Sequence, residues 1–326
     1  MKNTIIIIAL SIFYISNSKV YTQDPIFTQW ETMPLHFNPA LTGDFEGLLR
    51  FRAKYRNQWQ SILGNSSFKT SAASIEYNLI KKSQREISIG FNSIFDKAGS
   101  LNFRTKTFNL SSSITQHFGN IEDSHHSLAI GFKAGIANRK IDFSTIIWPS
   151  GPQSEPINAN INFADLSTGL LWKYSSNTHF SFQIGTAIHH VNRANVAFIE
   201  PNIERLYHRL NFHGQIEIPL AQKISIEPSF LFSFQGPSEL LQFGLNGKYY
   251  LKSTDFNFIQ LGLFAKSTFN LTQREINTYV LSATVDINSI LIGFSIDRFQ
   301  SLNSYAYEFS VGYILGRKNK GSTTTF

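Results

Sequence analysis

The stretch Ser127-Leu128-Ala129-Ile130-Gly131-Phe132-Lys133-Ala134-Gly135-Ile136 alternates without a break. Successive side chains of an extended chain point to opposite faces. Leu128, Ile130, Phe132, Ala134 and Ile136 therefore share one face, and Ala129, Gly131, Lys133 and Gly135 the other. The same rhythm returns downstream. Ile224, Ile226, Phe230, Phe232 and Phe234 stand opposite Ser225, Glu227, Ser229 and Ser233. Ile290, Ile292, Phe294 and Ile296 stand opposite Gly293, Ser295 and Asp297, and Tyr305, Tyr307, Phe309, Val311 and Tyr313 opposite Glu308, Ser310 and Gly312. One face is uniformly apolar; the other mixes glycine, serine and charge. In a soluble sandwich the apolar face would be the core, whereas in an outer-membrane barrel it meets lipid and the mixed face lines the lumen. Length favours the barrel. The segments run roughly 9 to 13 residues, longer than the usual 5 or 6 of soluble strands and close to a tilted membrane crossing.

About fourteen such segments follow one another, starting near residues 48, 67, 86, 103, 126, 163, 179, 206, 222, 239, 257, 276, 289 and 304. The expected fold is all-β: a transmembrane antiparallel outer-membrane β-barrel over residues 48–315. An even count lets the first and last strands meet antiparallel and predicts both termini in the periplasm. With the first strand running outward, long connections at 139–162 and 194–205 face outside, and short turns near Ser176, Leu220 and Asn288 face inside. Pro149, Gly151, Pro152 and Pro156 make residues 140–160 an outer loop.

Composition agrees. Charged residues are 16% of the 326, below the roughly 25% of a soluble domain, while 30 Phe and 12 Tyr suit strands and interfacial girdles. Cysteine is absent, which excludes disulfides, thiolate metal sites and a lipidated N-terminal cysteine. Lys2 and the apolar run Ile5 to Ile15 read as an export signal, with cleavage expected within residues 1–22 at Ser16, Ser18 or Thr22. Later apolar runs stay short of the 18 residues of a helical span. The formal charge of +7 falls to +5 without Lys2 and Lys19, too small a surplus to imply a nucleic-acid partner.

Nine histidines invite a metal or catalytic reading. The adjacent pairs His125–His126 and His189–His190 would point to opposite faces of a strand, so neither pair chelates as a unit. HExxH, GxSxG and calcium-loop patterns are absent. No catalytic residue, metal or cofactor is expected, and the histidines read as structural or interfacial. The first strand is more informative. Arg50, Arg52, Lys54 and Arg56 alternate with Leu49, Phe51, Ala53 and Tyr55, which places four cations on the lumen face. They are expected to pair with strand acids such as Asp165, Glu217, Glu227, Asp297 and Glu308, or to form a docking wall for a plug or an acidic partner. The segment 23–47 carries Pro25, Pro34 and Pro39, so it is neither a strand nor a long helix. Its Phe27, Trp30, Leu35, Phe37 and Phe45 need cover, from the inner wall or from a periplasmic partner, and its acids Asp24, Glu31, Asp44 and Glu46 are candidates for the basic row.

That segment also carries a family pattern. Gln23-Asp24-Pro25-Ile26-Phe27-Thr28-Gln29, then Phe37-Asn38-Pro39-Ala40-Leu41-Thr42-Gly43, then an arginine-rich strand ending Arg56-Asn57-Gln58-Trp59, resembles the mature N-terminus of the PorP/SprF family. Phe163-Ala164-Asp165-Leu166-Ser167-Thr168-Gly169-Leu170-Leu171, Glu227-Pro228-Ser229-Phe230-Leu231 and Tyr307 to Tyr313 are similar to later strands of the family. The chain departs from it in a short polar tail, residues 316–326. The resemblance implies a non-enzymatic outer-membrane component of the Bacteroidota type IX secretion system and of gliding motility. Its implied partners are outer-membrane lipid, other secretion-system proteins and the C-terminal domains of cargo such as large adhesins. The motif residues Gln23, Asp24, Pro25, Phe27, Gln29, Asn38, Pro39, Ala40, Gly43, Arg56, Gln58 and Trp59 are the candidate docking set. Two other functions fit a barrel: a passive diffusion porin, and a surface receptor or adhesin acting through its outer loops.

Overall fold

The computed structural model describes residues 24–82, 84–99, 103–120, 124–141, 160–178, 180–198, 203–251, 257–269, 276–300 and 302–317. The expected export signal 1–22, Gln23, the centre of the expected outer loop (142–159) and the tail from 318 lie outside the described residues.

Fourteen strands form one sheet: β1 (Leu49–Gln58), β2 (Phe68–Lys81), β3 (Arg85–Ala98), β4 (Phe103–Asn120), β5 (Ser124–Lys140), β6 (Asn160–Ser176), β7 (Ser181–His189), β8 (Arg209–Ala221), β9 (Ile224–Gln235), β10 (Ser238–Tyr250), β11 (Phe258–Phe269), β12 (Ile276–Ile287), β13 (Ile290–Phe299) and β14 (Ser304–Leu315). Each starts within three residues of the position that the alternation predicts. All neighbours pair antiparallel, and β1 pairs with β14 from Leu49↔Leu315 to Gln58↔Ala306, which closes the barrel. Closure leaves no open sheet edge at this seam, the condition for placing strands in lipid. Among the described residues no helix is long and apolar enough to cross a membrane.

The pleat sorts the side chains as expected. Phe232, Ile292, Phe294 and Phe309 face outward, while their neighbours Ser233, Ser295, Glu308 and Ser310 face inward and are buried. Turn chemistry sets the two ends apart. Asn288 and Ser289, with φ of 50° and 73°, link β12 to β13 in a two-residue hairpin turn. Gln222 and Lys223 link β8 to β9 as tightly. These turns share an end with Leu49 and Leu315. The opposite end bears the long connections 59–67, 141–159 and 190–208. Short turns inside and long loops outside orient the barrel, so β1 runs outward from the periplasmic end.

Candidate functional site: an occupied lumen

The apolar core of the molecule lies within the barrel. Phe27, Trp30, Met33, Leu35 and Phe37 are all at most 2% exposed. Proline breaks the segment 24–48 into short pieces: a 3-10 turn at Trp30–Thr32, a one-turn helix at Pro34–Phe37 and a second 3-10 turn at Pro39–Leu41. Pro34 and Pro39 each open a turn, where a missing N–H costs nothing. Phe45 is half-buried instead, with the Arg50 guanidinium 4.4 Å from its ring centre.

The strongest anchor lies on the closing seam. Glu308 of β14 accepts from the Thr28 and Gln29 backbone N–H at 2.7 and 3.2 Å. The same carboxylate pairs with Lys54 and Arg56 of β1, at 2.6 and 2.5 Å. Asp297 of β13 accepts from Thr28 Oγ1 at 2.7 Å and pairs with Arg56 and Lys266 at 2.9 and 2.7 Å. Lys54 donates to the Gln29 carbonyl, and Arg52 to that of Glu31. Arg50 forks onto Glu76 of β2 with two bonds of 2.7 Å and also donates to the Asp44 carbonyl. All four row cations thus face inward. Their acids are Glu76, Asp297 and Glu308 from the wall, and the row meets the plug through its carbonyls and hydroxyls. The plug acids go elsewhere: Asp44 to Lys173, Asp24 to His190 and Arg209, and Glu46 to Lys81 at 3.6 Å.

The Asn38-Pro39-Ala40 element rests on a floor of glycines. Gly131, Gly169 and Gly185 face inward from β5, β6 and β7. A Cβ on Gly131 would fall 2.2 Å from the Pro39 carbonyl carbon, and one on Gly169 2.0 Å from Asn38 Oδ1. On Gly185 it would meet His213 Nε2 at 2.5 Å and Asn38 Nδ2 at 2.8 Å. The bare backbone is what lets the plug approach. Asn38 caps its turn by accepting from Ala40 N–H at 2.9 Å and donates to the Leu170 carbonyl at 3.0 Å. Gly43 adopts φ +76°, and its N–H donates to Glu76 at 3.0 Å. A Cβ there would strike Ser88.

The remaining motif residues are scattered round the same interior. The Pro25 carbonyl accepts from His36 Nε2 at 2.7 Å, and Gln29 Nε2 donates to Thr284 at 3.3 Å. The Phe27 ring packs against His36 and under the Lys54 ammonium. Gln58 accepts from Arg56, and Trp59, at φ 63°, turns the chain out of β1 between Phe68 and Phe299. The structure thus gathers Asp24 to Gly43 and Arg56 into one interior and leaves Trp59 at the rim.

Two expectations need correction. His189 and His190 do not diverge. His190 follows the last residue of β7 with φ 60°, which swings it inward beside His189. His189 Nε2 lies 3.0 Å from the Phe37 carbonyl. His190 bridges Asp24 and Asp165 at 2.7 and 2.8 Å. Burial disfavours its charged form, but the two carboxylates outweigh this and hold it at about 9. Burial works against the Asp24 carboxylate too, yet His190 and Arg209 keep it well below the usual range. The second concerns the segment before β1. The two ends of the sheet share one end of the barrel, but Asp24 lies at the other: its N–H donates to Gln235, the outermost residue of β9. The plug doubles back through the lumen, which strand parity cannot register.

Sequence reasoning passed over the wall residues that receive the plug. Arg209 and Asn211 donate to the carbonyls of His36 and Phe37 at 2.7 Å each, and Gln242 to that of Thr28 at 2.9 Å. The available signal was the recurrence of glycine at inward positions of three adjacent strands. Among the described residues no group of three or more His, Cys, Asp or Glu is placed to hold a metal.

A closed antiparallel barrel with an apolar exterior and a polar, occupied interior defines an outer-membrane β-barrel protein. The family model described as type IX secretion system membrane protein PorP/SprF matches residues 19–324, and the chain belongs to that family. Family and fold are those of a secretion or transport membrane protein rather than a known enzyme. A comparison with curated proteins finds no match. Among solved structures the chain is similar to the CymD monoaromatic hydrocarbon channel, at 8% identity over 86% of this chain and 92% of that one, with a TM-score of 0.52. The Ralstonia pickettii toluene transporter TbuX matches at 10% identity over 88% and 94%, with a TM-score of 0.50. CdiB from Acinetobacter baumannii matches at 7% over 81% of this chain, which spans 60% of its length, with a TM-score of 0.45. At such identities the likeness concerns the fold alone.

Proposed function

We propose that this protein is a plugged, non-conducting subunit of the type IX secretion apparatus that assists secretion or surface attachment of specific cargo such as large adhesins. One observation carries the reading. Charges that line an aqueous pore are wet, yet here Glu76, Glu227, Asp297 and Glu308, with Arg50, Lys54, Arg56 and Lys266, are inward-facing and buried. A lumen filled by residues 24–48 supports a binding role over a passage. CymD, a monoaromatic hydrocarbon channel, and TbuX, a toluene transporter, supply the rival reading, a diffusion pore. The cargo's C-terminal domain and neighbouring secretion proteins are the partners this role requires, and no catalytic group is invoked. Deleting residues 24–46 from the exported chain tests it. The barrel should still fold, conductance in planar bilayers should rise from near zero, and surface delivery of the cargo should stop. Unchanged conductance together with normal delivery would leave the pore as the better reading.

A further inference from the structure

We infer that the plug crosses the membrane inside the barrel, so that Asp24 lies at the extracellular mouth while β14 ends in the periplasm. This goes beyond the cargo role and needs only the barrel's orientation.

The contacts of the plug mark its path along the barrel axis. At its C-terminal end Asn78 donates to the Gly47 carbonyl at 2.9 Å, and Lys81, the last residue of β2, lies 3.4 Å from the Phe45 carbonyl. Both belong to the periplasmic end, beside Leu49. Midway, Asn38 holds Leu170, six residues from the inner end of β6. At the N-terminal end Asp24 touches three residues at the outer limits of their strands. His190 directly follows β7, Arg209 opens β8 and Gln235 closes β9. Twenty-odd residues have therefore run the height of the barrel in the sense opposite to β1.

Below Asp24 the interior holds the plug's own Phe27, Trp30 and Phe37, all nearly inaccessible, so Asp24 faces the end with the long connections. Over that mouth the β7–β8 connection is tied down by buried Val196 and Leu206 and by Phe198 packed on Phe103.

The cysteine-free chain makes the test direct. A short cysteine-bearing peptide is inserted between Gln23 and Asp24, and labelled with a membrane-impermeant maleimide in intact cells and after outer-membrane permeabilisation. Ile62→Cys, exposed in the 59–67 connection, is the outer control; Lys223→Cys, in the β8–β9 turn, is the inner one. The expected result is labelling of the insert in intact cells within about twofold of Ile62→Cys, with Lys223→Cys labelled only after permeabilisation. An insert labelled only on permeabilisation, or in neither state, overturns the inference. So does a reversed pair of controls, which would show the barrel inserted the other way round. Gln23→Cys, which adds no length, is read by the same criteria if the insertion disturbs folding.

Discussion

Replacing Gly169 with Ala should loosen the plug without harming the strand that carries it. The added Cβ would lie 2.0 Å from Asn38 Oδ1, so the Asn38 side chain must leave its seat. Leaving it breaks the bonds to Ala40 N–H, to the Leu170 carbonyl and to His213 Nε2. Three net hydrogen bonds are worth about 1.5–4.5 kcal/mol, and stranding buried partners adds about 1–3. A total of about 3–5 kcal/mol follows, allowing for partial rescue of the Leu170 carbonyl by its own ladder. Asn38→Ala loses the same three bonds and should cost a similar amount. The informative variant is the double one. Because each change removes the same contacts, Gly169→Ala with Asn38→Ala should also cost about 3–5 kcal/mol, not the sum. Urea unfolding in lipid vesicles would measure this, followed by Trp30 fluorescence with Trp59, Trp148 and Trp172 replaced by Phe. Gly247→Ala, where a Cβ meets nothing within 4 Å, is the neutral control. Additivity of the two changes within about 0.5 kcal/mol would refute the reasoning, since independent sites behave that way.

Phe232→Arg, on the lipid face of β9, should destabilise the barrel by about 2–4 kcal/mol and shift its heat-modifiable gel mobility; an unchanged barrel would mean the face is misassigned. Glu308→Ala strands Lys54 and weakens Arg56, so it should cost about 3–5 kcal/mol and render residues 24–40 sensitive to added protease. The His190 clasp makes plug retention pH-dependent. Its folded pKa of about 9 stands above the ordinary value near 6.5, so its contribution is complete below about pH 6.5 and is lost as pH rises through 9. Protease protection of the N-terminal segment should fall across that window in the parent and stay flat in His190→Gln.

The wall was legible because a period of two repeats locally. Each segment from Ser127 to Ile136 or Ile290 to Ile296 declares its faces without reference to any other, and the lipid requirement makes the outward face uniform. Alternation tells which residues face the lumen, though not whether water fills it. Ser233, by pattern an ordinary lumen residue, is buried and donates to Asn211. The plug has no period, and its partners are remote: Thr28 and Glu308 are 280 residues apart. Proline and the large apolar groups announced that the segment needs cover, yet two kinds of cover stayed open. The direction of its path was hidden for the same reason, since it depends on contacts such as Asp24 with Gln235. His190 escaped because a single left-handed residue at a strand end reverses a side chain that the alternation places outside.

Glu308 also acts as proofreading for the chain's register. It stands on the last strand to be synthesised, and its ligands come from the first strand and from the segment before it. A slip of β14 by one residue would turn Glu308 toward lipid and bring Tyr307 or Phe309 against Lys54 and Arg56. Two cations would then lose their shared acid, and the Thr28 and Gln29 amides their acceptor. The correct pairing of Arg56 with Glu308 is thus rewarded from three directions at once, at the step where the two most distant parts of the sequence must find each other. The barrel recognises its own completion by chemistry supplied from its beginning.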